Sequence, residues 1–316
     1  MITLLRRYAL VIALCAAGPV YASPQDQANL MPDITQMVFQ LDMKGLQNTK
    51  IFKELVATNP AYERAMEQFT GQSGIDAKSI KMITVAFFDV EAKNPMAILL
   101  DVPFPAAPKG TTGKKTLGKQ TYYSLPGGAV AAPYHGKVLM TEEPLLKHFV
   151  GKKMGLKGAI AGLSKNRDMK AQLWVFGTPP KKMAAKAVKG PKGAPDVGSV
   201  QATINLASGL NLNLAVETDP KFAQELVSKF GEEKAKLAQN PMMMMMGLGP
   251  VITKSQLTAK GKDLTLALNL SDMEFNQIIN MVKMMTQKKA GAGMPGAPGK
   301  PGISIQPPAP AVPATK

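Results

Sequence analysis

Apolar and polar residues alternate most regularly in the last third of the chain. Every second residue is apolar along 200–206, and the same alternation runs along 210–216 after a short turn. Period two is typical of a strand with one buried face, so these two runs predict a β-hairpin. Residues 251–259 and 264–270, on either side of a Lys-Gly-Lys turn, predict a second hairpin.

A helix is predicted after each of these hairpins. Asp219 and Pro220 offer an N-cap followed by proline at the first helical position, and apolar residues then recur every three or four positions. Ser271 and Glu274 have the spacing of a capping box in front of another such stripe. Residues 198–287 therefore predict the order ββαββα.

The first half of the chain shows a related but less regular run. The predicted strands are at 37–43, 82–89, 96–102, 121–125 and 130–140, and the predicted helices are at 46–56, 60–71 and 141–150. Residues 103–118 are rich in Pro, Gly, Thr and Lys, which predicts a loop. In the middle of the chain, a helix is predicted around 156–163 and a strand at 171–176.

Together these patterns predict an α+β fold of two similar antiparallel-sheet halves, each with helices on one face, followed by a disordered C-terminal tail. The predicted boundaries are a signal peptide at 1–22, an N-terminal α+β half at 23–150, a basic connecting region at 151–197, a C-terminal ββαββα half at 198–287, and a disordered tail rich in Gly, Pro and Ala at 288–316. No sequence identity between the halves marks them as a repeat.

The first 22 residues have the composition of a cleaved signal peptide. Arg6 and Arg7 precede an apolar run at 9–17, and small residues lead to a cleavage site near Ala22. We therefore expect a bacterial protein that is periplasmic or secreted. Cys15 is the only cysteine, and Leu14 before it departs from the lipoprotein pattern, so we expect neither lipidation nor a thiol in the mature chain. No later run approaches the roughly 20 apolar residues of a membrane span.

Positive charge is concentrated in the middle of the chain. The formal net charge is +16, and residues 147–192 hold twelve Lys and Arg against the single acid Asp168. The residues expected to bind an anionic surface are Lys152, Lys153, Lys157, Lys165, Arg167, Lys181, Lys182 and Lys186. Lysine is a point charge, so such binding would be diffuse and weakened by salt. The competing interpretation is a solvated surface without a partner.

The chemistry of this region favours an anionic membrane or cell-wall component as the partner. Leu156, Ala159, Ile160 and Leu163 share one face of the predicted helix, which makes residues 152–165 amphipathic and fits a membrane-surface role. Aromatic residues that stack on bases are scarce there, so nucleic acid is not expected as a partner.

Methionine is unusually frequent, with 21 in the chain. Five of them are consecutive: Met242, Met243, Met244, Met245 and Met246. Three interpretations are open: side chains that fill gaps in a core, an adaptable apolar surface for a lipid or a partner helix, and a thioether site for copper(I). No histidine or spaced Met-x-Met accompanies the run, so no metal is expected there.

The sequence offers little for catalysis. His135 and His148 are the only histidines, and neither has a histidine or cysteine near it in sequence. Gly113 to Thr116 resembles the end of a phosphate-binding loop, but the spacing and the Pro-rich context do not fit that motif. No nucleophile elbow or zinc-protease motif occurs. We therefore expect no catalytic residue, no metal and no cofactor.

Three functions follow from these observations. The first is a non-enzymatic envelope protein that binds an anionic surface or polymer through the lysine-rich middle region. The second is a periplasmic carrier that holds a lipid or other apolar ligand between its helices and sheet, using the methionine run. The remote third is a hydrolase without a recognisable motif.

Overall fold

The computed structural model describes residues 24–57, 60–90, 95–105, 108–150, 154–165, 170–180, 197–245 and 247–291. Within these residues twelve strands form one antiparallel sheet. The strands are β1 (Thr35–Asp42), β2 (Met82–Phe88), β3 (Met96–Leu100), β4 (Gly113–Leu117), β5 (Gln120–Ser124), β6 (Ala129–Tyr134), β7 (Lys137–Glu142), β8 (Leu173–Gly177), β9 (Val200–Asn205), β10 (Leu210–Glu217), β11 (Gln256–Lys260) and β12 (Asp263–Leu270). Their order across the sheet is β11-β12-β10-β9-β8-β1-β2-β3-β7-β6-β5-β4.

Helices connect and cover these strands. They are α1 (Pro24–Asn29), α2 (Met43–Asn48), α3 (Lys50–Ala57), α4 (Pro60–Ser73), α5 (Glu143–Leu146), α6 (Gly158–Lys165), α7 (Pro220–Ala238), α8 (Pro241–Met245), α9 (Gly249–Lys254) and α10 (Asp272–Gly291). An α+β fold with a large antiparallel sheet and helices is therefore confirmed. The predicted signal peptide at 1–22 lies wholly outside the described residues, and so does the predicted tail at 288–316 apart from residues 288–291, which end α10.

The predicted halves lie in one continuous sheet, and β8 joins them. β8 pairs with β1 on one side and with β9 on the other, both antiparallel. It comes from the segment 151–197, where the sequence predicts a basic connecting region with a strand inside it. Trp174 in β8 is only 1% exposed, because this short uncharged stretch lies at the centre of the sheet.

Helices cover both faces of the N-terminal part of the sheet. On one face, Leu41, Ile83 and Leu100 pack with residues of α2 and α3 in what we call the first core cluster. On the other, Leu99 and Leu139 pack with residues of α5 in the second core cluster, and Trp174 packs with residues of α1 and α6. The prediction of helices on one face fails here because β2 is apolar at both parities and is buried on both sides.

The C-terminal part of the sheet is much less closed. After residue 197 the buried apolar side chains of the described chain are those of Ala223, Ile252, Leu270 and Ile279. Every residue of β9 and β10 keeps part of its surface exposed, although both strands lie in the interior of the sheet. Hydrogen bonding between strands thus continues through the C-terminal part of the sheet, whereas few of its side chains are fully shielded from water.

Several element boundaries differ from the prediction. The predicted strand at 130–140 is two strands, β6 and β7, because His135 (φ 48°) and Gly136 (φ 73°) make the two-residue turn of a hairpin. The predicted strand at 251–259 begins as a helix, α9, with proline in its first turn. β4 lies within the predicted loop at 103–118, where it forms the edge of the sheet and all five of its residues are exposed.

The predicted helix starts in the C-terminal part are confirmed. The Asp219 carboxylate accepts hydrogen bonds from the backbone N–H of Lys221 (2.9 Å) and of Phe222 (3.0 Å). At the start of α10 the backbone N–H of Ser271 donates to Glu274 Oε2 (2.9 Å), which completes the capping box. These caps fix where α7 and α10 leave the sheet.

Candidate functional site

The most distinctive surface is an array of nine apolar side chains on one face of β9, β10 and β12. Leu212 lies between Ile204 and Leu268, and Leu214 lies in the next row between Ala202 and Leu266. We call this array the open layer. Its members are Val200, Ala202, Ile204, Leu212, Leu214, Val216, Leu264, Leu266 and Leu268. All nine are partly exposed.

The side chains of an antiparallel pair that lie directly opposite one another point to the same face, so the register places the open layer on a single side of the sheet. The neighbouring strand β8 continues this face through Leu173, which pairs with Ile204 and packs against the first core cluster. The open layer is therefore a direct extension of the buried face that α2 and α3 cover in the N-terminal part.

Helix α7 borders this region without closing it. It packs against β11, β12 and α9, and only Ala223 near its start is fully buried. Its apolar residues Phe222, Leu226 and Phe230 remain partly exposed. Apolar side chains of both the sheet and the helix thus keep contact with water, which is unfavourable unless something else covers them.

The methionine run forms part of the same C-terminal region. α8 packs against α7, and Met242 and Met244 are 65% and 49% exposed. The Met244 Sδ and Cε lie over Gly249, where an added Cβ would approach them to 3.1 and 3.0 Å. Met243 is partly exposed, and the side chain of Met245 and all of Met246 lie outside the described residues.

These exposures distinguish between the interpretations of the run. Met242 and Met244 do not fill a core, so their geometry favours an adaptable apolar surface. No group of three His, Cys, Asp or Glu side chains that could hold a metal occurs among the described residues.

The structure describes only part of the lysine-rich region. Lys157 is exposed, and its Nζ lies 2.6 Å from Asp33 Oδ2. Lys165 ends α6. The remaining predicted binding residues lie outside the described part of the chain: Lys152, Lys153, Arg167, Lys181, Lys182 and Lys186.

Helix α6 uses its apolar side inside the molecule. Ile160 is 7% exposed and packs in the cluster of Trp174 and Phe176, and Leu163 packs against the same cluster. That side is therefore occupied by the sheet. An anionic surface could therefore contact only the polar side of α6, and the interaction would be electrostatic, without insertion of apolar side chains.

A cluster of ionisable side chains lies near the edge of the sheet. Glu143 Oε1 accepts a hydrogen bond from the Tyr122 hydroxyl (2.7 Å), and Lys115 Nζ lies 3.1 Å from Glu143 Oε2. The Tyr122 hydrogen bond, followed by that of Lys115, lowers the pKa of Glu143 below its usual value. An ionised carboxylate held by two donors links β4 and β5 to α5, which is a structural role.

No helix in the described ranges is long and apolar enough to cross a membrane.

Comparison with known proteins gives structural neighbours alone. Neither a protein-family model nor a curated protein matches the sequence. Crystal form III of TP0453 is similar over 81% of this chain and 97% of its own, with 10% identity and a TM-score of 0.46. Crystal form I of TP0453 covers 82% of this chain and 96% of its own, with 8% identity and a TM-score of 0.42. Likeness at this level carries no argument about function.

Proposed function

We propose that this protein is an exported, non-enzymatic protein of the cell envelope that carries a lipid or other apolar ligand on the open layer. The observation that supports it is the three-by-three array of apolar side chains that stays partly exposed in the interior of the sheet. Contiguous apolar surface of this kind marks a ligand or partner site more often than it marks a plain solvated surface.

The free energy of binding would come from covering the array. Burying one methylene group of a ligand contributes about 0.8 kcal/mol, so a chain of ten carbons laid along the array contributes several kcal/mol. Met242 and Met244 are exposed, and their helix α8 packs against α7. Methionine side chains are flexible, so these two are suited to line the margin of a site that accepts ligands of varied shape.

Native mass spectrometry of the protein purified from its own envelope at low salt tests the proposal directly. We expect a discrete added mass in the lipid range, and we expect Leu212→Asn to remove it. Leu117→Asn is the matched control, because Leu117 is 36% exposed on the edge strand β4 and lies outside the array. Equal ligand occupancy in both variants would contradict a site on the open layer.

The methionine contribution has its own matched pair. Met242→Gln should weaken uptake of a fluorescent fatty acid analogue, whereas Met273→Gln should not. Both residues are strongly exposed, at 65% and 70%, but Met273 lies at the start of α10. Equal affinities in the two variants would remove α8 from the site.

The lysine-rich middle region supports a second candidate, binding to an anionic membrane or wall polymer. Its supporting observation is the excess of eleven positive charges within residues 147–192, a segment in which the side chain of Lys157 is exposed. Binding to vesicles with anionic head groups should fall steeply between low and physiological salt, and zwitterionic vesicles should not bind. Vesicle binding that does not depend on salt concentration would contradict this second function and would have no bearing on ligand binding by the open layer.

A further inference from the structure

A cleft of about 500 Å³ opens between α3 and α4, and none of its lining residues belongs to the open layer. Its volume lies within the range of about 300–1,000 Å³ that is usual for small-molecule sites. Its apolar lining comes from Phe52, Val56, Tyr62 and Met66. We call it the helix cleft.

The floor of the helix cleft is made of largely buried side chains. Phe52 is 8% and Met66 is 3% exposed, and the rings of Phe52 and Tyr62 meet edge to face with centroids 5.7 Å apart. The Phe52 backbone N–H also donates a hydrogen bond to the Thr49 hydroxyl oxygen (3.2 Å) at the start of α3. Phe52 belongs to the first core cluster, and Val56 and Tyr62 pack against it, so this part of the floor is formed before any ligand arrives.

The rim of the helix cleft is charged. Lys53 and Lys78 lie on it, together with Glu63, so the formal charge of the lining is +1. All three side chains are exposed, and among the described residues neither lysine forms an ion pair. An apolar floor with a rim of net charge +1 is complementary to an apolar chain with a singly charged anionic head.

We propose that the helix cleft binds a single-chain amphiphile with an anionic head group, of the fatty-acid class. The chain lies on Phe52, Val56 and Met66, and the head group lies between Lys53 and Lys78. This site is separate from the open layer and does not depend on the proposed function. Glu63 on the same rim disfavours a doubly charged head, so a monocarboxylate should bind better than a monoalkyl phosphate of equal chain length.

Isothermal titration calorimetry with decanoate, dodecanoate, dodecanol and dodecyl phosphate measures both parts of the site. Dodecanoate should bind about tenfold or more better than decanoate, because each buried methylene group is worth about fourfold in affinity. Dodecanol should bind more weakly than dodecanoate. The double variant Lys53→Gln, Lys78→Gln should remove that preference, at up to about fivefold for each exposed lysine.

Lys50→Gln is the matched control for charge, since Lys50 is exposed on the same helix but does not line the cleft. Ala57→Trp tests the cavity, because Ala57 is exposed on the lining and a large side chain there fills the space without removing a core residue. It should lower dodecanoate affinity at least about tenfold. Ala235→Trp on α7 is its control, with circular dichroism and urea unfolding to show that each variant is folded.

The outcomes separate this site from the open layer. Loss of dodecanoate binding in Ala57→Trp but not in Leu212→Asn supports the helix cleft. Loss in Leu212→Asn alone overturns the helix cleft and leaves the proposed function standing. A double lysine variant that binds dodecanoate and dodecanol with the same ratio as the original protein also overturns it.

Discussion

The contrast between a closed and an open part of one sheet predicts that the same mutation has different costs at two places. Leu99 in β3 is 0% exposed and belongs to the second core cluster, whereas Leu212 in β10 is partly exposed. Both are leucines in interior strands that pair on both sides. Leu→Ala at each position therefore removes the same atoms from the same kind of backbone.

The expected magnitudes follow from burial. Leu99→Ala loses the transfer free energy of three carbon groups and leaves a cavity, so it should lower the free energy of unfolding by about 3–5 kcal/mol. At Leu212 part of the side chain already contacts water and water can enter the gap, so the loss should be about 1–1.5 kcal/mol. The difference between the two variants should be about 2 kcal/mol or more.

Urea unfolding measures this difference, with Trp174 as an intrinsic probe. It is the only tryptophan and is 1% exposed in β8, where the two parts of the sheet meet. Circular dichroism followed in parallel shows whether unfolding is a single transition, as the comparison of free energies requires. Equal losses for Leu99→Ala and Leu212→Ala in ligand-free protein would refute the inference that the open layer is open.

Three further predictions concern stability. Gly177→Ala should strongly lower the free energy of unfolding, because Gly177 has φ 127° and an added Cβ would clash with the backbone of β1. Gly136 also has a positive φ, 73°, but open space around it, so Gly136→Ala should lower the free energy of unfolding by only about 1 kcal/mol, as thermal unfolding would show. Asp101→Asn should cost about 2 kcal/mol in urea unfolding, because it weakens a largely buried ion pair with the lysine that begins β7. Lys254, followed by Ser271 at the start of α10, lowers the pKa of Glu274 from 4.5 to about 2. The ionised Glu274 carboxylate therefore stabilises the folded state above pH 4.5, and this contribution is lost as the pH falls towards 2. Glu274→Gln should flatten the pH dependence of the free energy of unfolding between these pH values.

The sequence predicts the regular elements because their patterns are local. Alternation along β9 and β10 needs no tertiary information, and an Asp-Pro pair marks the start of α7. β4 carries no apolar alternation and is held by pairing with β5, so its local pattern is that of a loop. At α9 the β-branched Val251 and Ile252 favour a strand, but proline in the first turn and the burial of Ile252 favour the helix.

Local sequence patterns predict neither the joining of the two halves in one sheet nor the partial exposure of the open layer. Which edges meet is decided by tertiary packing, and here β8 supplies an edge to both parts. A strand with a fully buried apolar face and one with a half-exposed apolar face both show a period of two. The alternation around Leu212 therefore predicts a strand but does not predict whether a helix covers its apolar face. The helix cleft cannot be predicted from local pattern either, because Lys53 and Lys78 lie in separate elements that only the tertiary fold brings together.

The sheet itself explains how an open layer can persist in a folded protein. The backbone of β9 is paired to β8 over residues 200–204, and β8 is fixed by two almost fully buried aromatic side chains, Trp174 and Phe176, each 1% exposed. Strand order in the C-terminal part is therefore secured by hydrogen bonds that continue from a closed core. The side chains of the open layer do not have to provide that stability, so they are free to remain partly exposed. A ligand that covers them would then stabilise the C-terminal part specifically, by an amount that grows with its free concentration.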